Sequence, residues 1–280
     1  MNNEQRTNKG FTIIELVTAV GLLAMVITFA GLIFKVSIEG QRTASANAEI
    51  MGKLRAITDQ LNADFKGQIW NPQGKVRFHC DPKDVRSDCI VFFANGDFQS
   101  TRQYEDNISG KDKTVVGSVA CIFYGLAGTA AVNPKEKILV RRQTIITSDT
   151  SLDPLDLDPP GGDPPGEYCN ERSLSKLVAD KFDANDIIGS PDLDPDDPND
   201  LVMYMAKGVD DFMIQYVGWD DTGREFNDWR PDVNDIRYSS GDWKNKNFAP
   251  LAFKFTFTLY DSRGVLEGGR TFTHIVYLGD

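Results

Sequence analysis

The chain has 280 residues, 41% of them apolar, which is enough for one large domain or two small ones with a real core. Its formal net charge is −11 and its pI is near 4.7. The acidity is concentrated: residues 149–200 hold fifteen acidic side chains against Arg172, Lys176 and Lys181. With the remainder near neutral and no basic patch, nucleic acid is not an expected partner.

In chain order, a polar leader (residues 1–10) meets an apolar run over residues 11–34. As a helix, those 24 residues span roughly 36 Å, enough to cross a hydrocarbon core of about 30 Å. Glu15 interrupts the run near its start. A carboxylate at that depth is costly and marks a function or a waiting partner. If the chain began at Phe11, Glu15 would lie about 6 Å from the new terminal amine and could pair with one; it could equally snorkel to the headgroups. A secretory signal would have a shorter apolar stretch with a small-residue cleavage site just after it. Ala44-Ser45-Ala46 lies well past the run and inside a helical pattern.

Over residues 35–66 the helical pattern turns amphipathic: Ile38, Ala46, Ile50, Leu54, Ile57, Leu61 and Phe65 keep to one face, and the pattern stops at Gly67. Strands are expected at residues 75–80, 89–94, 118–126, 137–146, 201–206, 211–219, 251–260 and 270–278. The clearest is 251–260, with Leu251, Phe253, Phe255, Phe257 and Leu259 on one face. Residues 95–117 read as a connection or edge element, and 223–248, with Trp229 and Trp243, as a long loop whose tryptophans cap the core or face a partner. Residues 152–166 and 190–200 are Asp-Pro and Gly-Pro punctuation within the acidic insert, and Ser173 begins a short helix at 173–180. The fold class is α+β, a long helix on an antiparallel sheet, with residues 67–280 forming a β-rich head.

Cys80, Cys89, Cys121 and Cys169 permit three full pairings. An even count behind a membrane anchor suggests an oxidising compartment, with Cys80–Cys89 and Cys121–Cys169 the most local choice; the alternative is four buried thiols. No nucleophile elbow, Walker loop or dinucleotide fingerprint is present, so no enzymatic activity and no cofactor are expected. The aspartates of residues 192–200 could supply oxygens to calcium, but Asp197 and Met203 depart from the EF-hand pattern, and a solvated acidic loop is favoured.

Gly10-Phe11-Thr12-Ile13-Ile14-Glu15, after a leader ending in Lys9, resembles the processing motif of type IV prepilins and type II secretion pseudopilins. The resemblance covers residues 1–66 best. It implies cleavage after Gly10 by a membrane-embedded prepilin peptidase and N-methylation of Phe11. It also implies a Glu15 that attracts the neighbouring subunit's amine during assembly. Gly208-Val209-Asp210-Asp211-Phe212, Gln215-Tyr216, Trp219 and Leu251-Ala252-Phe253-Lys254-Phe255 look more loosely like J-type minor pseudopilins, which lack the Pro/Asp insert. The expectation is a pilin-like fold and a minor subunit of a secretion pseudopilus, single-pass in a bacterial inner membrane with its head in the periplasm. Its partners would be other pilins and the assembly platform. A minor type IV pilin, or an anchored adhesin using the acidic or Trp-rich loops, is the alternative.

Overall fold

The computed structural model describes residues 12–68, 79–80, 88–127, 133–149, 151–152, 167–170, 203–219, 225–230 and 249–278. The expected helix at 173–180 lies outside them. The chain divides into two compact units, Met1–Ala48 and Glu49–Asp280. One uninterrupted helix, α1 (Ile13–Lys66), runs through both. It ends where the sequence places its end. Gly67 follows, and a Cβ there would collide with the Asn95 carbonyl oxygen, so glycine is required by close approach.

The second unit holds two sheets. The first joins β1 (His79–Cys80), β2 (Ile90–Glu105), β3 (Asp112–Leu126) and β4 (Ile138–Thr147) in sequential antiparallel order. Two short strands share the far side of β4. β5 (Tyr168–Asn170) pairs with it in parallel and β6 (Tyr204–Lys207) antiparallel. The second sheet has the order β10-β9-β7-β8, built from β7 (Val209–Trp219), β8 (Glu225–Arg230), β9 (Ala249–Leu259) and β10 (Arg270–Tyr277).

Three expectations are corrected here. Residues 95–117 are no connection but the outer half of the β2–β3 hairpin, kinked by register shifts between Asn95 and Phe98 and between Gln99 and Gln103. Their polarity misled because the satellite cluster they help enclose is small: Val115, Ile145, Leu152 and Tyr168, with Phe98 and Tyr104 against it. Glu167 seals that end, accepting hydrogen bonds from the Thr101 and Arg102 amides and the Tyr104 hydroxyl. Likewise β8 lies inside the expected loop at 223–248. The single antiparallel sheet is in fact two sheets, one of them mixed.

A main core fills the space between α1 and the inner faces of both sheets. Ile50, Ile57, Leu61 and Phe65 meet Ile90, Phe92, Ile122 and Tyr124 of the first sheet and Phe212, Ile214, Phe253, Phe255 and Phe257 of the second. The Phe65 ring stacks on Phe92 at 4.2 Å and lies 5.6 Å from both Phe253 and Phe255. Burying such a side chain stabilises by about 1.5–3 kcal/mol before packing is counted.

A bulge adjusts β7 to this core. Its register passes from Asp210 opposite Thr258 to Met213 opposite Thr256, one extra residue on β7, with Asp211 at φ 54°. Val209 therefore faces the core, and so do Phe212, Ile214 and Tyr216 at the other parity. Asp88, buried just before β2, braces this bend. Its amide donates to the Phe212 carbonyl at 2.8 Å and its carboxylate accepts from the Ile214 amide at 2.7 Å.

Candidate assembly site

Every large apolar side chain from Ile13 to Ile38 is between 49% and 83% exposed. Glu15 and Lys35 bracket nineteen residues free of charge, and the helical rise between them is about 30 Å, the thickness of a hydrocarbon core. The threonines within do not spoil it. The hydroxyl of Thr18 donates to the Glu15 carbonyl at 3.0 Å and that of Thr28 to the Ala24 carbonyl at 2.8 Å, so both are satisfied by the helix itself. The helix is long and apolar enough to cross a membrane, compatible with a single-pass anchor.

Glu15 closes the helix start in a way its charge alone did not suggest. Its Oε2 accepts from the Thr12 amide at 2.9 Å and from the Thr12 hydroxyl at 3.0 Å, while the Glu15 amide approaches the Thr12 hydroxyl oxygen at 3.4 Å. This is a capping box, Thr at the N-cap and Glu three residues on. The Thr-x-x-Glu spacing was legible in the sequence and points to it directly. Gly10 and Phe11 lie outside the described residues.

A second polar centre joins α1 to the first sheet within the second unit. Asp64 is 5% exposed. Arg141 donates to it twice, Nε to Oδ2 at 2.7 Å and Nη2 to Oδ1 at 2.8 Å. The Tyr124 hydroxyl donates to Oδ2, and Gln60 to Oδ1 at 3.1 Å. Burial, and then the Asp64 charge, raise the Tyr124 phenol well above its ordinary value. The adjacent arginines of β4 thus serve opposite faces. Arg141 reaches the helix, and Arg142 lies over the Phe123 ring at 5.2 Å on the far side. Burial lowers the Arg142 pKa to about 10.

Cys121 and Cys169 depart from the expected pairing. Cys89, Cys121 and Cys169 are buried and no disulfide joins any two of them. For Cys121 and Cys169 the reason is topological. Cys121 pairs with Thr144 of β4 and Cys169 with Ile146 on the other side of β4, so a whole strand intervenes. Two strand spacings are about 9.6 Å, beyond the Cα separation a disulfide spans. Burial pushes the Cys121 thiol up to about 12 and that of Cys169 to about 11. Cys80 stands opposite Ile90 in the ladder, one register position away from Cys89; its side chain lies outside the described set.

His274 touches Asn62 of α1, Nε2 to Oδ1 at 3.0 Å, and Trp229 carries Lys254 over its ring at 4.8 Å. Trp243 and the calcium candidates of residues 192–200 lie outside the described residues. Among the described residues no cluster of His, Cys, Asp and Glu is arranged to hold a metal ion. Comparison with protein-family models, with curated proteins and with solved structures finds no match to this chain.

Proposed function

We propose that this chain is a minor pilin-like structural subunit of a type II secretion pseudopilus. Prepilin peptidase cuts it after Gly10 and methylates Phe11, and the first part of α1 holds it in the bacterial inner membrane. Its β-rich head lies in the periplasm. The work is assembly with other pilin-like subunits and the inner-membrane platform, not catalysis. The observation that carries this reading is α1 itself: one helix whose first part presents an unbroken exposed apolar surface behind a Glu15 cap, and whose last turns supply the main core. A helix apolar all round needs an apolar surrounding. In this reading it is lipid before assembly and neighbouring helices after it.

Co-expression with a prepilin peptidase tests the proposal. The expected product has lost ten residues and carries a methyl group on Phe11. An unshifted mass counts against it.

A further inference from the structure

The β2–β3 hairpin turns over residues 106–111. Its tip holds Asn107-Ile108-Ser109, and no other asparagine of the chain is followed two positions on by serine or threonine. Proline does not intervene, so the triplet has the form of an N-glycosylation acceptor. Glu105 adds a carboxylate two residues before the asparagine. The fold presents all four: Glu105, Asn107, Ile108 and Ser109 are exposed, Ile108 by 82%.

The backbone beneath them is fixed by other groups. The Asp106 carboxylate accepts from the Ile108 amide at 2.8 Å and the Ser109 amide at 3.0 Å. The Gly110 amide donates to the Asp106 carbonyl at 2.7 Å, with Gly110 at φ 62°, and the Asn107 amide donates to the Ser151 carbonyl at 2.9 Å. Lys113 ties Asp106 to Asp149, at 3.1 and 2.6 Å. The Asn107 carboxamide and the Ser109 hydroxyl take no part in this scaffold, and no described residue bonds either of them. Glu105 is worse than idle as structure. It stands directly opposite Asp112 in the ladder's last pair, a like-charge juxtaposition that destabilises, and no described cation bonds it. A carboxylate left open beside an acceptor asparagine is one that an enzyme's arginine can pair with.

We propose that Asn107 is an N-glycosylation site, modified by a periplasmic oligosaccharyltransferase that reads Glu105, Asn107 and Ser109 together. The inference rests on the reading that the head lies in the periplasm. The donor is an oligosaccharide carried on a lipid pyrophosphate. Asn107 Nδ2 attacks the anomeric carbon of its first sugar, and a carbon–nitrogen bond forms as the carbon–oxygen bond to the pyrophosphate breaks. The lipid pyrophosphate leaves with that electron pair, the Nδ2 proton passes to an enzyme carboxylate, and nothing is oxidised or reduced. The tip lies beyond the satellite cluster of Val115, Ile145, Leu152 and Tyr168, so the glycan displaces no buried side chain.

The test co-expresses the full chain with an oligosaccharyltransferase of this acidic-acceptor kind and its lipid-pyrophosphate-linked oligosaccharide, in cells where a standard periplasmic acceptor is glycosylated. A flexible acceptor of the same acidic pattern, appended after Asp280, serves as an internal control. Intact mass should rise by two glycans, and peptide mapping should place one on Asn107 and one on the appended acceptor. Asn107→Gln and Ser109→Ala should each abolish the first and leave the second. Glu105→Gln should reduce the first roughly tenfold or more, the worth of one charge-assisted hydrogen bond. Thermal unfolding should be unchanged in all three variants. A modified appended acceptor beside a bare Asn107 would overturn the proposal and leave the periplasmic reading standing. A glycan on neither would overturn both. Asn107 modified as fully in Glu105→Gln as in the parent chain would overturn the part given to Glu105.

Discussion

Arg141 grips Asp64 through two parallel hydrogen bonds, and this pair ties the last turns of α1 to the fourth strand of the first sheet. Both side chains are mostly out of water, at 18% and 5% exposure. Removing one partner strands a charge, whereas removing both with apolar replacements of similar volume does not. Asp64→Ala is expected to cost about 3–5 kcal/mol in chemical denaturation. The triple variant Asp64→Leu, Arg141→Met, Tyr124→Phe should recover most of that. If the triple is as unstable as the single, the pair is not the cause.

Phe65 sits where the two sheets and the helix converge. Phe65→Ala should destabilise by about 3–5 kcal/mol, since no single neighbour can fill a gap bordered by Phe92, Phe253 and Phe255. A loss below 1 kcal/mol in the same denaturation measurement would mean the core collapses around the cavity.

The Glu15 cap and the assembly role proposed for its charge can be told apart by Glu15→Gln. Glutamine keeps the acceptor that Thr12 uses but carries no charge for another subunit's amine. If the charge drives assembly, Glu15→Gln and Glu15→Ala are equally poor in filament incorporation while both still insert in the membrane. Rescue by Gln alone would assign Glu15 to the cap.

Acid should loosen the second sheet in two stages. Burial lowers the pKa of His274, with Asp59 opposing, so the unfolded chain binds that proton first. Its contribution is full above the model-peptide value of 6.5 and is lost as pH falls through the lower folded value. Two carboxylates follow. Against the cost of burial, Lys53 and Ser262 hold Glu49 below its usual range, and the Leu266 and Val265 amides do the same for Asp261. Their stabilisation is present above the reference values of 4.5 and 3.8 and is lost below them. Thermal melts from pH 7 to 3 should show both stages, and His274→Gln should remove only the first.

The cysteine geometry makes a simple demand. Cys121 and Cys169 should resist alkylation in the native chain and react fully once it is unfolded, because burial keeps both thiols protonated at neutral pH. Intact mass of the non-reduced protein should show no Cys121–Cys169 bond. Finding that bond would contradict the strand order.

Local pattern alone determined the elements that rest on short-range physics. The α1 stop follows from Gly67 closing an apolar helical stripe, and β9 follows from alternation of Phe and Leu with Lys and Thr. The membrane-length run needed only counting. Thr12 and Glu15 were equally legible as a capping box, since that bond is made within one turn. Tertiary structure alone decided what depends on residues far apart in sequence. That β4 lies between Cys121 and Cys169, that Arg141 and not Arg142 meets Asp64, and that β7 bulges at Asp211 are consequences of strand order and register. Strand order and register depend on how two sheets and one helix share a single core, and no window of neighbouring residues contains that information.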